Sequence, residues 1–197
     1  MDRRKALKTT GLLASASLAL PSALSLLQAC QSEKRLDWTP LFFTPAEAAL
    51  VASLADTILP RTDTPGALDV KVDIFIDRLI AKSFDPEGKE GMRYAFAGFD
   101  AHCKEAFGAV FAELSQDRRH EVLKQAEQED GKFRISVWGT PVGEEAPIGF
   151  YRQFKSTLIW AYFSSEEIGE NVLSYDPIPG AYNGCIPVSE VGNRWSL

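Results

Sequence analysis

From residue 44 onward, apolar residues recur at helical spacing between short polar breaks, and the pattern predicts a succession of helices. Thr44-Pro45-Ala46-Glu47 opens the first. Thr44 is a capping residue, Pro45 suits the first helical position and Glu47 completes a capping box. Leu50, Val51, Leu54, Ala55, Ile58 and Leu59 then fall on one face, and Pro60 stops the helix. Residues 61–67 form a loop around a Pro-Gly turn. Segment 68–83 begins ambiguously. Val70, Val72, Ile74 and Ile76 alternate as in a strand, whereas Ile76, Leu79 and Ile80 recur as in a helix. A helix from about Asp69 is expected, because no partner strand is evident nearby.

Residues 85–88 read as a turn, followed by a long helix over 89–105 with Met92, Phe96, Phe99 and Cys103 inward and a kink near Gly108. Ser115 caps a helix over 116–128 with Val122 and Leu123 inward. The Gly- and Pro-rich stretch 129–147 is a loop with a short hairpin around Phe133 to Trp138. The helix over 148–163 ends in a run apolar on every face, which must be buried against the core or a partner. Ser164 or Ser165 caps a last short helix through Asn171. Segments 174–180 and 183–187 offer no regular element, yet the tail holds Tyr175, Tyr182, Ile186 and Trp195: a strap over the helices or an arm on a partner. The expected fold is therefore all-α: one compact domain over 44–197 of about five to six helices with an irregular, aromatic-rich C-terminal arm.

Charge narrows the function. With 21 Lys+Arg against 27 Asp+Glu in 197 residues, the chain has no basic excess for nucleic acid. It has no Gly-X-Gly-X-X-Gly, Walker loop or Cys-X-X-Cys, and two histidines. His102 and Cys103 are adjacent, so on a helix they diverge by about 100° and form neither a chelate nor a nucleophile–base pair; His102 belongs at the surface and Cys103 in the core. Asp63, Asp69 and Asp73 lack the oxygen spacing of a calcium loop and read as helix caps and solvated charges. Glu144-Glu145 and Glu166-Glu167 read as solvated pairs rather than an acid/base dyad. No catalytic, cofactor-binding or metal site is expected. Cys103 and Cys185 are the two thiols that could form a disulfide in an oxidising compartment.

Residues 1–29 have the plan of an export signal: a basic start with adjacent Arg3 and Arg4, an uncharged apolar stretch, then small residues. The weakly apolar core behind two arginines resembles a twin-arginine signal, whose cargo crosses already folded; with Asp2 before the pair and Ala6 after it, general secretion is the alternative. Leu27-Gln28-Ala29-Cys30 resembles a lipobox, with Cys30 as the lipidated residue and 30–43 as a tether. The alternative is a soluble periplasmic protein cut near Ala29. Cleavage removes four cations and one acid, so the net charge moves from −6 to −9.

Phe43-Thr44-Pro45-Ala46-Glu47, the stretch 58–67 (ILPRTDTPGA), Phe75-Ile76-Asp77, Phe150-Tyr151, the stretch 162–166 (YFSSE) and the stretch 175–185 (YDPIPGAYNGC) together resemble the small subunit (subunit 3) of the gluconate 2-dehydrogenase family. The resemblance implies a non-catalytic escort in a periplasmic dehydrogenase of sugars, sugar acids or glycosides. FAD then belongs to a GMC-type large subunit and haem c, where present, to a cytochrome c subunit. The small subunit carries the twin-arginine signal and stabilises the flavoprotein during export; Cys30 departs from a plain periplasmic subunit and points to a membrane tether that replaces a cytochrome's anchor. Partner contacts are expected at Arg61, Asp63, Pro65 and Gly66, at Trp160, Tyr162 and Phe163, and at Tyr175, Pro179, Gly180 and Tyr182. The competing reading is a free-standing carbohydrate-binding lipoprotein with a pocket of Trp138, Trp160 and Tyr162.

Overall fold

A reciprocal cap starts the first helix, α1 (Pro45–Ile58). The Glu47 N–H donates to Thr44 Oγ1 at 3.3 Å, and Glu47 Oε2 accepts from the Thr44 N–H at 2.7 Å. The computed structural model describes residues 38–131, 133, 136–137, 140–141, 148–175, 180 and 184–196. Arg3, Arg4, Cys30, Trp138, Pro179 and Tyr182 lie outside the described residues. Seven helices are present among them, and the fold is all-α.

The second helix, α2 (Val72–Ser83), begins three residues later than expected. Asp69 is the reason: its carboxylate accepts from the Gly66 N–H at 2.7 Å and closes a turn over residues 67–71. Lys71 leaves that turn in the left-handed region, at φ 59°, before the helix begins. By contrast α3 (Pro86–Phe107) starts earlier than expected. The Asp85-Pro86-Glu87-Gly88 turn is its first turn, with Asp85 Oδ1 accepting from the Gly88 N–H at 2.7 Å. There is no kink at Gly108: the helix stops there, because Gly108 takes a φ of +85° that favours glycine. A 3-10 turn at Phe111–Glu113 leads into α4 (Gln116–Glu129).

A two-residue hairpin, β1 (Ser136–Val137) with β2 (Thr140–Pro141), precedes α5 (Phe150–Phe163) and α6 (Glu166–Asn171). The tail is more regular than expected. It adds β3 (Ser174–Tyr175), the single turn α7 (Val188–Val191) and β4 (Trp195–Ser196), with β3 and β4 paired in parallel. The Ser174 hydroxyl, which donates to the Val191 carbonyl at 2.9 Å, helps close this loop.

α2 packs on α1 and α5, and α4 packs on α5. Phe96 of α3 is the aromatic hub, 1% exposed, edge-on to Phe43, Phe150 and Phe154 at 5.5–5.7 Å between centroids. Burying one such side chain stabilises by about 1.5–3 kcal/mol. Asp77 of α2 is fully buried and accepts from three successive backbone N–H groups, those of Leu41, Phe42 and Phe43, at 2.7–2.9 Å. This carboxylate fixes the chain's entry to α1 and so seats Phe43 against Phe96. Asp73, expected among the solvated charges, is 1% exposed beside the apolar side of α2.

Candidate partner-docking surface

Gly66 lets the loop after α1 fold tightly on itself. A Cβ there would lie 2.6 Å from the Arg61 backbone nitrogen, so any side chain would force the strands of the loop apart. The Ala67 N–H donates to the Leu59 carbonyl at 2.9 Å and closes the loop's base. Arg61 pairs with Asp69 at 3.1 Å from an exposed position, an ion pair that contributes at most about 1 kcal/mol. The firmer tie comes from α5. The Tyr162 hydroxyl donates to the Pro65 carbonyl at 2.6 Å, across 97 residues of sequence.

The apolar end of α5 is only partly absorbed by the core. Leu158, Ala161 and Tyr162 are buried, Phe163 is half-buried, and Trp160 is 52% exposed. Of the two covers expected for this end, the chain's own core does not reach Trp160. Its ring lies 5.7 Å from that of Phe75, itself 41% exposed on α2.

Beside Trp160 a groove of about 690 Å³ runs between α5, α6 and β3, lined among others by Phe163, Glu166, Glu170, Tyr175 and Arg194. The Arg194 guanidinium sits 5.1 Å from the centre of the Phe163 ring and carries the tail to the groove's edge. A second recess of about 440 Å³, with Arg61, Pro65, Lys71 and Glu167 in its walls, shares Ser165 and Glu166 with the first. The loop 61–67, the end of α5 and Tyr175 thus meet on one surface. Asp63 and Gly180 are exposed but line neither recess.

Of the pocket expected from Trp138, Trp160 and Tyr162, only Trp160 is open to the surface among the described residues. Tyr162 is 7% exposed and its hydroxyl is engaged by Pro65, while Trp138 lies outside the described residues. Glu170 and Arg194 escaped the sequence reading because neither carries a local signal; the chain's return through β3 and β4 places Arg194 there.

The titratable groups with shifted pKa lie elsewhere. Burial, with the Asp100 charge adding to it, pushes the Cys103 thiol up to about 11. Burial also raises the Asp100 carboxyl, although it accepts from the Phe111 N–H at 3.0 Å. Burial, then the Glu127 charge, takes Tyr151 up to about 12. A hydrogen bond from Lys155, then the Lys155 and Arg152 charges, hold Glu127 below the ordinary carboxylate range against some desolvation. His102 is exposed and Cys103 is in the core. Cys103 and Cys185 are not joined by a disulfide; one is buried, the other exposed. Among the described residues no three His, Cys, Asp or Glu side chains gather as a metal site would.

A family model, gluconate 2-dehydrogenase subunit 3, matches residues 45–180. The chain belongs to the gluconate 2-dehydrogenase subunit 3 family. The match starts with α1 and extends to Gly180, so it takes in the loop 61–67, the end of α5 and β3. No curated protein and no solved structure matches the chain. As a member of that family the chain is a subunit by descent, and the surface just described leaves Trp160, Tyr175 and the neighbouring Phe75 uncovered.

Proposed function

We propose that this chain is the non-catalytic small subunit of a periplasmic FAD-dependent dehydrogenase acting on sugars, sugar acids or glycosides. It escorts and stabilises a GMC-type flavoprotein during twin-arginine export directed by Arg3 and Arg4, and a lipid on Cys30 anchors the complex to the membrane. Where such an assembly includes a cytochrome c subunit, its haem c takes the electrons. The observation that carries the reading is Trp160: an aromatic residue half exposed beside a groove, in a family named for a dehydrogenase subunit. Half-buried aromatics on a concave surface are the usual anchors of protein interfaces.

The test is to purify the tagged mature chain from membranes of its native host. A co-purifying dehydrogenase with a flavin absorption band, lost with Trp160→Ala, is the expected result. A colourless single chain that melts cooperatively and ignores a co-expressed flavoprotein would overturn it.

One observation favours a second reading, a carbohydrate-binding lipoprotein. The groove sets Trp160 and Tyr175 beside Glu166 and Glu170, a combination that can stack on a sugar ring and accept from its hydroxyls. Calorimetric titration of the isolated chain with sugars separates the two, because a docking subunit gives no heat.

A further inference from the structure

α2 sorts its charges in an unusual way. Its buried side contains both of its acids, Asp73 and Asp77, among Val72, Ile76 and Ile80. Its outward side contains Phe75, Arg78 and Lys82, continued by Lys71 at the helix start, all exposed. The spacing of three and four residues puts Phe75, Arg78 and Lys82 on one stripe about 10 Å long, with the left-handed Lys71 standing just before the helix. Among the described residues no carboxylate forms an ion pair with Lys71, Arg78 or Lys82. Arg78 and Lys82 sit at i and i+4, where like charges weaken a helix. Lys82 in the last turn suits the helix dipole, but among the described residues Arg78 forms no ion pair that would hold the helix, and Trp160 lies against the stripe through Phe75.

We infer that this stripe seats an acidic segment of the flavoprotein subunit, with carboxylates on Lys71, Arg78 and Lys82 and an apolar side chain over Phe75 and Trp160; this rests on the docking role proposed above. Charge complementarity selects the occupant. The whole chain carries −6, so three exposed cations around an aromatic centre are a local exception to its acidity. An anionic bilayer is a poor fit, because membrane attraction needs about four to eight clustered cations. The acidic first turn of α6 also borders the stripe: Glu166 and Glu167 share a recess with Lys71, and Glu166 lines Trp160's groove. A narrow segment can follow α2 and avoid those acids, where a flat anionic surface cannot.

The test uses the full chain co-expressed with the flavoprotein that the wild type brings down. Arg78→Glu with Lys82→Gln should retain about tenfold less flavoprotein at low salt, while the chain still melts cooperatively, since both positions are exposed. Wild-type retention should fall as NaCl rises from about 0.05 to about 0.5 M. Carbodiimide, which joins amines directly to carboxylates, should link Lys71 or Lys82 to an Asp or Glu of the flavoprotein, and Lys71→Arg with Lys82→Arg should abolish the link while keeping the complex. Equal retention by the Arg78→Glu, Lys82→Gln variant, or links from other lysines alone, would overturn the inference. So would a charge-sensitive effect seen only on phosphatidylglycerol vesicles, or only on self-association of the chain in sedimentation. If the wild type brings down no flavoprotein at any salt, the docking role itself fails and this seat falls with it.

Discussion

Replacing Asp77 tests the tie that orients the N-terminal segment. The carboxylate has no exposure and accepts from Leu41 through Oδ2 and from Phe42 and Phe43 through Oδ1. Phe42 and Phe43 are 8% and 6% exposed, so in Asp77→Ala their N–H groups lose their acceptor where water does not easily replace it. Orphaning a buried donor costs about 1–3 kcal/mol, more where the lost acceptor is charged, so Asp77→Ala should cost about 3–5 kcal/mol. For a chain of this size that lowers Tm by about 6–20 °C. Asp77→Asn should be milder. Its single carbonyl oxygen can still serve Phe42 and Phe43, and the lost partner, Leu41, is an exposed residue, so the cost is about 1 kcal/mol. Urea unfolding followed by circular dichroism reads both. A cost for Asp77→Ala within about 0.5 kcal/mol of zero, the range of ordinary surface substitutions, would refute the latch. An Asn variant as weak as the Ala variant would show that charge, not acceptor geometry, holds the segment.

Tyr162→Phe removes the 2.6 Å bond to Pro65; it should cost about 1 kcal/mol in urea unfolding and weaken flavoprotein retention, because the loop 61–67 loses its tie to α5. Iodoacetamide should label Cys185 in the folded chain and reach Cys103 only after unfolding, since Cys103 is fully buried and its thiol is pushed up to about 11; labelling at equal rates would contradict the burial. Glu127 has a lowered folded pKa, so its contribution is present above the ordinary carboxylate pKa of about 4.3 and is lost as pH falls through the lower folded value. Its side chain is 36% exposed and screened, so Glu127→Gln should flatten the acid limb of a stability–pH curve by no more than about 1 kcal/mol.

The legible features were those whose cause is local. The capping box at Thr44 and Glu47 lies within four residues, and the apolar face of α1 repeats along one helix. Asp85 is ambiguous because the same side chain closes a turn by accepting from the N–H two residues on and caps a helix by accepting from the N–H two or three residues on, here that of Gly88. The start of α2 was misplaced because the Asp69–Gly66 turn and the left-handed Lys71 override an apolar pattern that runs through both. Asp77 gave no signal as a latch, since its partners stand 34–36 residues away. At the candidate surface the three segments were recognisable singly. What joins the loop to α5 is one hydroxyl meeting a carbonyl 97 residues distant, and what completes the groove is a tail folded back through β3 and β4. Such pairings depend on the packed fold and leave no period in the chain.

The central claim is that the surface formed by the loop 61–67, the end of α5, α6 and β3 docks a flavoprotein. Amide hydrogen exchange, recorded on the chain alone and with its co-purified flavoprotein, tests it most directly. Slowed exchange should concentrate in residues 61–67 and 160–175, with the face of α4 unchanged. Protection confined to α4, or no change anywhere in the presence of a flavoprotein, would contradict the account.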